Sequence, residues 1–327
     1  MRAAMAAAEV GDDQYSEDPT VNRLQDRVAE LLGKEAVLWV PSGTMANQIA
    51  LRIFTRPGDD VVVSRESHAM WHESGAAGAN AGIQFTEVGD GGTFTAADFL
   101  AAFKARGSLL YPPTTLVEVE DTHNRSGGVV FPPDEAAAIC AAARGHEVAS
   151  YLDGARLFNA AIAGGRKPGD LAAPFDLVAI AFSKGLGAPG GSVMAGSREH
   201  IAAALRYRRM AGGAMRQVGI FAAAGLYALD HNVDRLAEDH ANARRIADRV
   251  AESQFVALDP ASVRTNILVF GLTDVGPDAA TVVARARDRG VLVFAFGPRT
   301  VRAVTHLDVS ADECERAGAI LLEAIEA

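Results

Sequence analysis

Short runs of β-branched and aliphatic residues alternate with longer stretches of helical period along most of this chain. That alternation constrains the fold more than any other feature. The apolar runs are AVLWV (36–40), DVVVS (60–64), IQFTEV (83–88), TTLVEVE (114–120), EVASYLD (147–153), FDLVAIAFS (175–183) and GSVMAG (191–196). Helix-period segments at 43–55, 95–105 and 133–143 separate several of them, so the runs read as strands of βα units. The expected class is α/β, with a mainly parallel sheet flanked by helices. Helix dominates from 198 to about 253, with a break at AGGAMRQ (211–217). VRTNILVFGL (263–272), a helix near 277–289, GVLVFAFG (290–297), VRAVTHLDV (301–309) and a last helix near 310–325 then predict a smaller α+β unit. The expected division is a large domain over 1–240 and a small C-terminal domain over 241–327.

At 327 residues and 49% hydrophobic content the chain can build a large core. A net charge of −10 argues against nucleic acid or an anionic membrane as partner. Cys140 and Cys314 lie in alanine-rich, helix-like stretches without metal-ligand spacing, which fits a reduced, cytoplasmic setting. No run approaches the roughly 18 unbroken apolar residues of a membrane span. The start, MRAAMAAAEVGDD, reads as a helix fragment, not a signal peptide.

Lysine usage narrows the search for chemistry. Of the 31 lysines and arginines only four are lysines: Lys34, Lys104, Lys167 and Lys184. A chain that writes its positive charge as arginine keeps lysine where an amine is needed, because only that group loses a proton and forms a Schiff base. Lys34, Lys104 and Lys167 sit in surroundings that read as solvated. Lys184 ends an apolar run and opens the small-residue loop KGLGAPGGS.

Other reactive residues recur at the carboxyl ends of the predicted strands, where ligands bind in open α/β sheets. His68 follows DVVVS, His123 follows TTLVEVE, Asp153 closes EVASYLD and Lys184 closes FDLVAIAFS. PSGTMANQ (41–48) reads as a turn into a helix with Ser42 or Thr44 near the N-cap; its open N–H groups suit a phosphate, although a plain capped helix would look the same. An aspartate at a strand end can hold a heteroaromatic ring nitrogen protonated, or simply cap a helix. His68 can stack on a flat cofactor or be an ordinary core histidine. His68 and His72 have the spacing of a helical metal pair, but no third ligand is evident and no metal site is expected. His123, in EDTHNRSGG, lies in a polar loop where a general acid or base can act. A phosphate seat, a ring-nitrogen partner, a stacking residue and a Schiff-base lysine are what pyridoxal 5′-phosphate (PLP) requires.

The chain resembles the L-threonine aldolases of the low-specificity type, in the β-eliminating lyase group of fold-type-I PLP enzymes. The matching stretches are AEVGDDQYSEDPTVNRL (8–24), PSGTMANQ (41–48), SHAMWHESGAAG (67–78), EDTHNRSGG (120–128), LDGARLFNAA (152–161), SKGLGAPGGSVMAG (183–196), RRMAGGAMRQVG (208–219) and VRAVTHLDVS (301–310). The resemblance implies that Lys184 would form the Schiff base, Asp153 would pair with the pyridine nitrogen and His68 would stack on the ring. The N–H groups of Gly43 and Thr44, beside Ser42, would hold the phosphate, with Arg216 reaching it from a neighbouring subunit of a homotetramer. Arg156 and Arg302 would clamp the substrate carboxylate, and His123 with His68 would lie near the β-hydroxyl. It implies cleavage of L-threonine or L-allo-threonine to glycine and an aldehyde. The alternatives are a lyase for a bulkier β-hydroxy amino acid such as phenylserine, or a non-catalytic binding protein on the same fold. Two features differ from the family pattern. A Ser-Asp-x-x-Thr segment normally precedes the AEVGDD helix end, so a truncated N-terminal segment is expected here. APGGS (188–192) carries two glycines where one follows an apolar residue.

Overall fold

The computed structural model describes residues 1–327. Seven strands form one sheet: β1 (Ala36–Val40), β2 (Asp60–Ser64), β3 (Gln84–Val88), β4 (Thr114–Glu120), β5 (Ala149–Asp153), β6 (Leu177–Ala181) and β7 (Ser192–Gly196). Their spatial order is β1-β7-β6-β5-β4-β2-β3. The β2–β3, β2–β4, β4–β5 and β5–β6 pairs are parallel, as the βα alternation predicts. β7 departs from that pattern and runs antiparallel to both β1 and β6. Only the short loop 182–191 joins β6 to β7, and a parallel return needs a crossover of about a dozen residues or more. Strands β2, β4, β6 and β7 are buried along their whole length, because helices cover both faces of the sheet.

A second sheet collects β8 (Val256–Ala257), β9 (Ile267–Leu272), β10 (Phe294–Gly297) and β11 (Thr300–Val304) in the order β10-β11-β9-β8, all antiparallel. The helices Leu236–Val250 and Ala311–Glu326 pack against each other and close a separate apolar core with this sheet. The expected strand at 290–297 begins only at Phe294. Residues 286–291 are taken up in ending the preceding helix, with Gly290 at φ +86° and the Val291 N–H donating to the Ala286 carbonyl. The expected strand at 301–309 stops at Val304, and the Thr305 hydroxyl then donates to the Asp239 carbonyl.

β4 carries an anomaly that the alternation alone reveals. In TTLVEVE, Glu118 and Glu120 point to the same face, opposite Tyr151 and Asp153 of β5. Glu118 is 1% exposed and neither carboxyl oxygen has a hydrogen-bond partner. Burial, then the charges of Asp153, Glu73 and Glu120, push its pKa well above the ordinary 4.5. The native state therefore keeps a proton that the unfolded chain gives up above 4.5, so this group lowers stability as pH rises towards its native value. Each pH unit in that window is worth about 1.4 kcal/mol. Glu118→Gln is expected to raise the urea midpoint, with the gain over the parent growing from pH 5.5 to pH 8. A gain independent of pH would show that Glu118 is not held as the acid.

Candidate active site

Two reversals at β7 restore the direction of β1, so β1, β2, β4, β5 and β6 all end at one edge of the sheet. That edge gathers the Ser42–Thr44 turn after β1, the His68–Trp71 helical turn after β2, Glu120 at the end of β4, Asp153 at the end of β5 and Lys184 after β6. Lys184, His68, Asp153, Arg156 and Glu120 lie within electrostatic reach of one another. Burial, with Arg156 adding to it, lowers Lys184 to about 8, and Asp153, Glu120 and Glu73 oppose the shift. Burial likewise depresses Arg156, again opposed by Glu120 and Asp153. These two cations act on their neighbours only through space, with no hydrogen bond contributing.

The other lysines are engaged elsewhere. Lys167 is exposed as expected. Lys34, read as solvated, donates to the carbonyl of Phe175 at 2.6 Å, and Lys104 pairs with the buried carboxylate of Asp60 at 2.9 Å. In the loop after Lys184 the glycines answer to the chain's own side chains. At Gly187 (φ +74°) a Cβ would lie 2.2 Å from Leu307, and at Gly191 (φ +97°) 2.7 Å from the Trp39 indole nitrogen.

Asp153 is held from two sides. Its Oδ1 accepts from the Ala155 N–H (3.1 Å) and its Oδ2 from the Asn47 side-chain amide (3.0 Å). Asn47 lies on the Gly43–Phe54 helix, whose N-cap is Ser42, with Oγ accepting from the Met45 N–H at 3.2 Å. The N–H groups of Gly43 and Thr44 precede the helix's first internal bond and stay open. The buried Ser192 hydroxyl has no partner and sits 3.7 Å from where a Cβ on Gly43 would lie. Ser42 and Thr44 are exposed, and with Tyr207, Met210 and Arg52 they line an open hollow of about 400 Å³. Arg216 is exposed and pairs with Asp12 of the same chain.

Glu120 and His68 organise the other side. Glu120 accepts from the backbone N–H of His68 (2.8 Å) and of Asn124 (2.8 Å), tying both histidine-bearing loops to the end of β4. Burial, then the Asp153 charge, raises Glu120 to about 7. Burial lowers His68 to about 4, so its ring is neutral near pH 7.

His123 departs from the expected polar loop: it is 0% exposed. A Cβ on Gly92 would touch its ring at 2.6 Å, so the 89–93 turn lies directly over it. His123 Nδ1 accepts from the Ser126 N–H (3.2 Å), which leaves the proton of the neutral ring on Nε2, 3.5 Å from Glu120. Burial lowers its pKa to about 4. In this arrangement the ring's only free nitrogen is a donor.

The second sheet supplies Arg302. Its Nη2 donates to Asn124 Oδ1 (2.7 Å), its Nε is buried without a partner, and its guanidinium lies over Phe296 at 5.1 Å. Arg125 spans from Phe296 (5.1 Å) to Trp71 (4.7 Å), so cations and aromatic rings alternate along the rim. His72 stacks on Phe296 with ring centroids 6.1 Å apart.

The sequence reading missed Asn47, Glu73, Glu120 and Ser192. One signal for Glu120 was available: acids at period two in the otherwise apolar run VEVE place Glu118 and Glu120 on one buried face, whereas Glu73 carries no such mark.

The family model for beta-eliminating lyases matches residues 1–272. The low specificity L-threonine aldolase of Escherichia coli K12 is 40% identical over 314 residues, covering 96% of this chain and 91% of that protein. The low-specificity L-threonine aldolase 1 of Arabidopsis thaliana is 35% identical over 318 residues, covering 96% and 89%. A solved structure of the Leishmania major threonine aldolase superposes with a TM-score of 0.80 at 21% identity, covering 97% and 92%. Serine palmitoyltransferase of Sphingomonas wittichii shares the fold at a TM-score of 0.75 and 16% identity, covering 99% and 81%. With a family match over most of its length and relatives this similar across nearly the whole chain, the protein belongs to the beta-eliminating lyase family.

Proposed function

We propose that this protein is a PLP-dependent aldehyde-lyase that cleaves L-threonine and L-allo-threonine to glycine and acetaldehyde. One observation carries the reading. Lys184 and Arg156, half-buried at the strand ends and without a hydrogen bond of their own, converge with Asp153 on one edge of the sheet. The residues fit PLP on the chain's own evidence. An open helix N-terminus faces the partnerless Ser192 hydroxyl, the Lys184 amine is pushed towards its neutral form, and the Asp153 carboxylate is fixed in direction. Gly43, Thr44 and Ser42 would seat the phosphate, Asp153 would face the ring nitrogen, His68 would cover the ring and Lys184 would hold the cofactor covalently. When bound, PLP supplies the electron sink for the pair released as the Cα–Cβ bond breaks.

The rest falls to side chains. Arg156 and Arg302 would fix the amino-acid carboxylate with planar guanidinium forks. His68, neutral and with its ring free of hydrogen bonds within the chain, is the better acceptor for the β-hydroxyl proton, directly or through water. His123, with Nδ1 committed to Ser126, would act as a donor from Nε2.

The exposed phosphate seat beside Met210 (57% exposed) favours a homotetramer in which a neighbouring subunit covers it, with Arg216 released from Asp12 to reach that neighbour's phosphate. No helix is long and apolar enough to cross a membrane; with both cysteines unpaired and buried, a cytoplasmic location is the simplest reading. The proposed division at 240 falls within the Leu236–Val250 helix, which packs on both units.

The direct test incubates protein and PLP with L-threonine and with L-allo-threonine and measures glycine and acetaldehyde. Stoichiometric release of both products is expected; no release above a PLP-only control rules the reading out. The aromatic rim of Trp71, Phe294 and Phe296 favours, as a second reading, a phenylserine-type substrate. A much higher kcat/KM for phenylserine than for threonine would select it.

A further inference from the structure

Behind Asp153 lies a hydrogen-bonded cluster whose inner members are buried. The Asn47 amide donates to both Asp153 Oδ2 (3.0 Å) and Glu73 Oε1 (2.9 Å), and its oxygen accepts from the Tyr151 hydroxyl (2.6 Å). The second Glu73 oxygen accepts from Gln48 Nε2 (2.7 Å), and Gln48 Oε1 in turn accepts from Asn80 (3.3 Å). Asn47, Glu73, Tyr151 and Asp153 are each at most 3% exposed. These partners leave the Asn47 amide one orientation, because two acceptors claim its nitrogen and a hydroxyl donor claims its oxygen.

Glu73 joins three pieces of the site. Asn47 and Gln48 belong to the helix whose first turn forms the phosphate seat. Asp153 shares the Asn47 amide with Glu73. Glu73 itself ends the short segment begun by His68, only five residues earlier, so the same carboxylate anchors the ring-covering histidine's turn. A buried carboxyl of this kind is costly. Burial, offset by the Gln48 bond and reinforced by the Asp153 charge, raises Glu73 to about 7. An apolar residue of similar size would avoid that cost.

We infer that Glu73 is a positioning residue for the cofactor, acting through Asn47 to fix the direction of the Asp153 carboxylate and to lock the His68 turn to the phosphate-seat helix. The inference rests on the PLP reading given above. Without Glu73, one Asn47 N–H loses its acceptor inside the core, and the amide is free to turn away from Asp153.

The test measures PLP affinity and the visible circular dichroism of bound PLP, which reports a ring held in one orientation. It uses the parent, Glu73→Ala, Asn47→Ala, the double variant and Glu73→Gln, with the melting temperature of each apoprotein taken alongside. Glu73→Ala and Asn47→Ala are each expected to weaken PLP binding about tenfold and to lower the dichroic signal per bound PLP. The double variant should bind no worse than either single one, because both remove the same link. Glu73→Gln can still offer an acceptor to Asn47, and its NH₂ finds an acceptor in Gln48 Oε1 once that amide turns and leaves the exposed Asn80 to solvent, so it is expected to recover most of the affinity. If Glu73→Ala fails to fold, Glu73→Gln against Asn47→Ala decides the matter, and parent-like affinity and dichroism in both overturn the inference. Losses that add in the double variant, or a lowered melting temperature with unchanged PLP affinity and dichroism, also overturn it and leave Glu73 a purely structural residue. A parent that binds no PLP defeats the functional reading instead, so the two failures are separable.

Discussion

Lys184→Ala is expected to abolish the visible absorption band of lysine-bound PLP and to cut threonine cleavage by at least about 10⁴-fold, some 5.5 kcal/mol of barrier at 1.4 kcal/mol per decade. The size follows from where the amine sits. Burial and the neighbouring Arg156 bring it to about 8, so near neutrality a usable share is unprotonated and nucleophilic, which an exposed lysine would not offer. No other lysine can replace it: Lys34 is spent on main-chain carbonyls, Lys104 on Asp60, and Lys167 is exposed in a different loop. Lys184→Arg keeps the positive charge but not the chemistry and should fail equally, which separates covalent capture from charge. Lys167→Ala should match the parent. A visible band that survives in Lys184→Ala would falsify the assignment.

Asp153→Asn is expected to lower kcat by about 10³-fold, roughly 4 kcal/mol, while the visible band persists because Lys184 is intact. Two physical losses combine. The negative charge that would keep the ring nitrogen protonated disappears. The new amide also cannot satisfy its surroundings, since both oxygens of Asp153 accept, one from the Ala155 N–H and one from Asn47, so an NH₂ at either place sets donor against donor. The measurement is kcat beside the absorption spectrum of the same sample. Parent-like kcat would show that another group meets the ring nitrogen; loss of the band with kcat would show that the change had disturbed Lys184.

Much of this was legible in the residues. All seven strands of the large sheet are present at or within two residues of the expected bounds, because buried β-branched runs between helical stretches admit few other readings. Lys184, Asp153 and His68 announced themselves by type at strand ends. What stayed hidden depends on long-range geometry. The shortness of the loop 182–191 was a local sign that β7 runs backwards, but no local pattern tells that Asn47 on one helix joins Asp153 and Glu73. His123 misled for a related reason. Its neighbours in EDTHNRSGG are polar and suggest an open loop, yet the turn at Gly92, remote in sequence, folds over it and removes it from solvent.

The reversed strand also sets a timetable. Ala36 of β1 pairs with Gly196 of β7, and β1 has no other neighbour in the sheet. The strand that leads into the Ser42–Thr44 turn therefore joins the sheet only through a strand made just after Lys184 itself. Such distant pairing is slow to form and leaves earlier segments waiting unpaired. The strand that carries the seat for one end of the cofactor and the strand that carries the amine for the other are thus held together through β7 alone, which pairs with β1 on one side and β6 on the other.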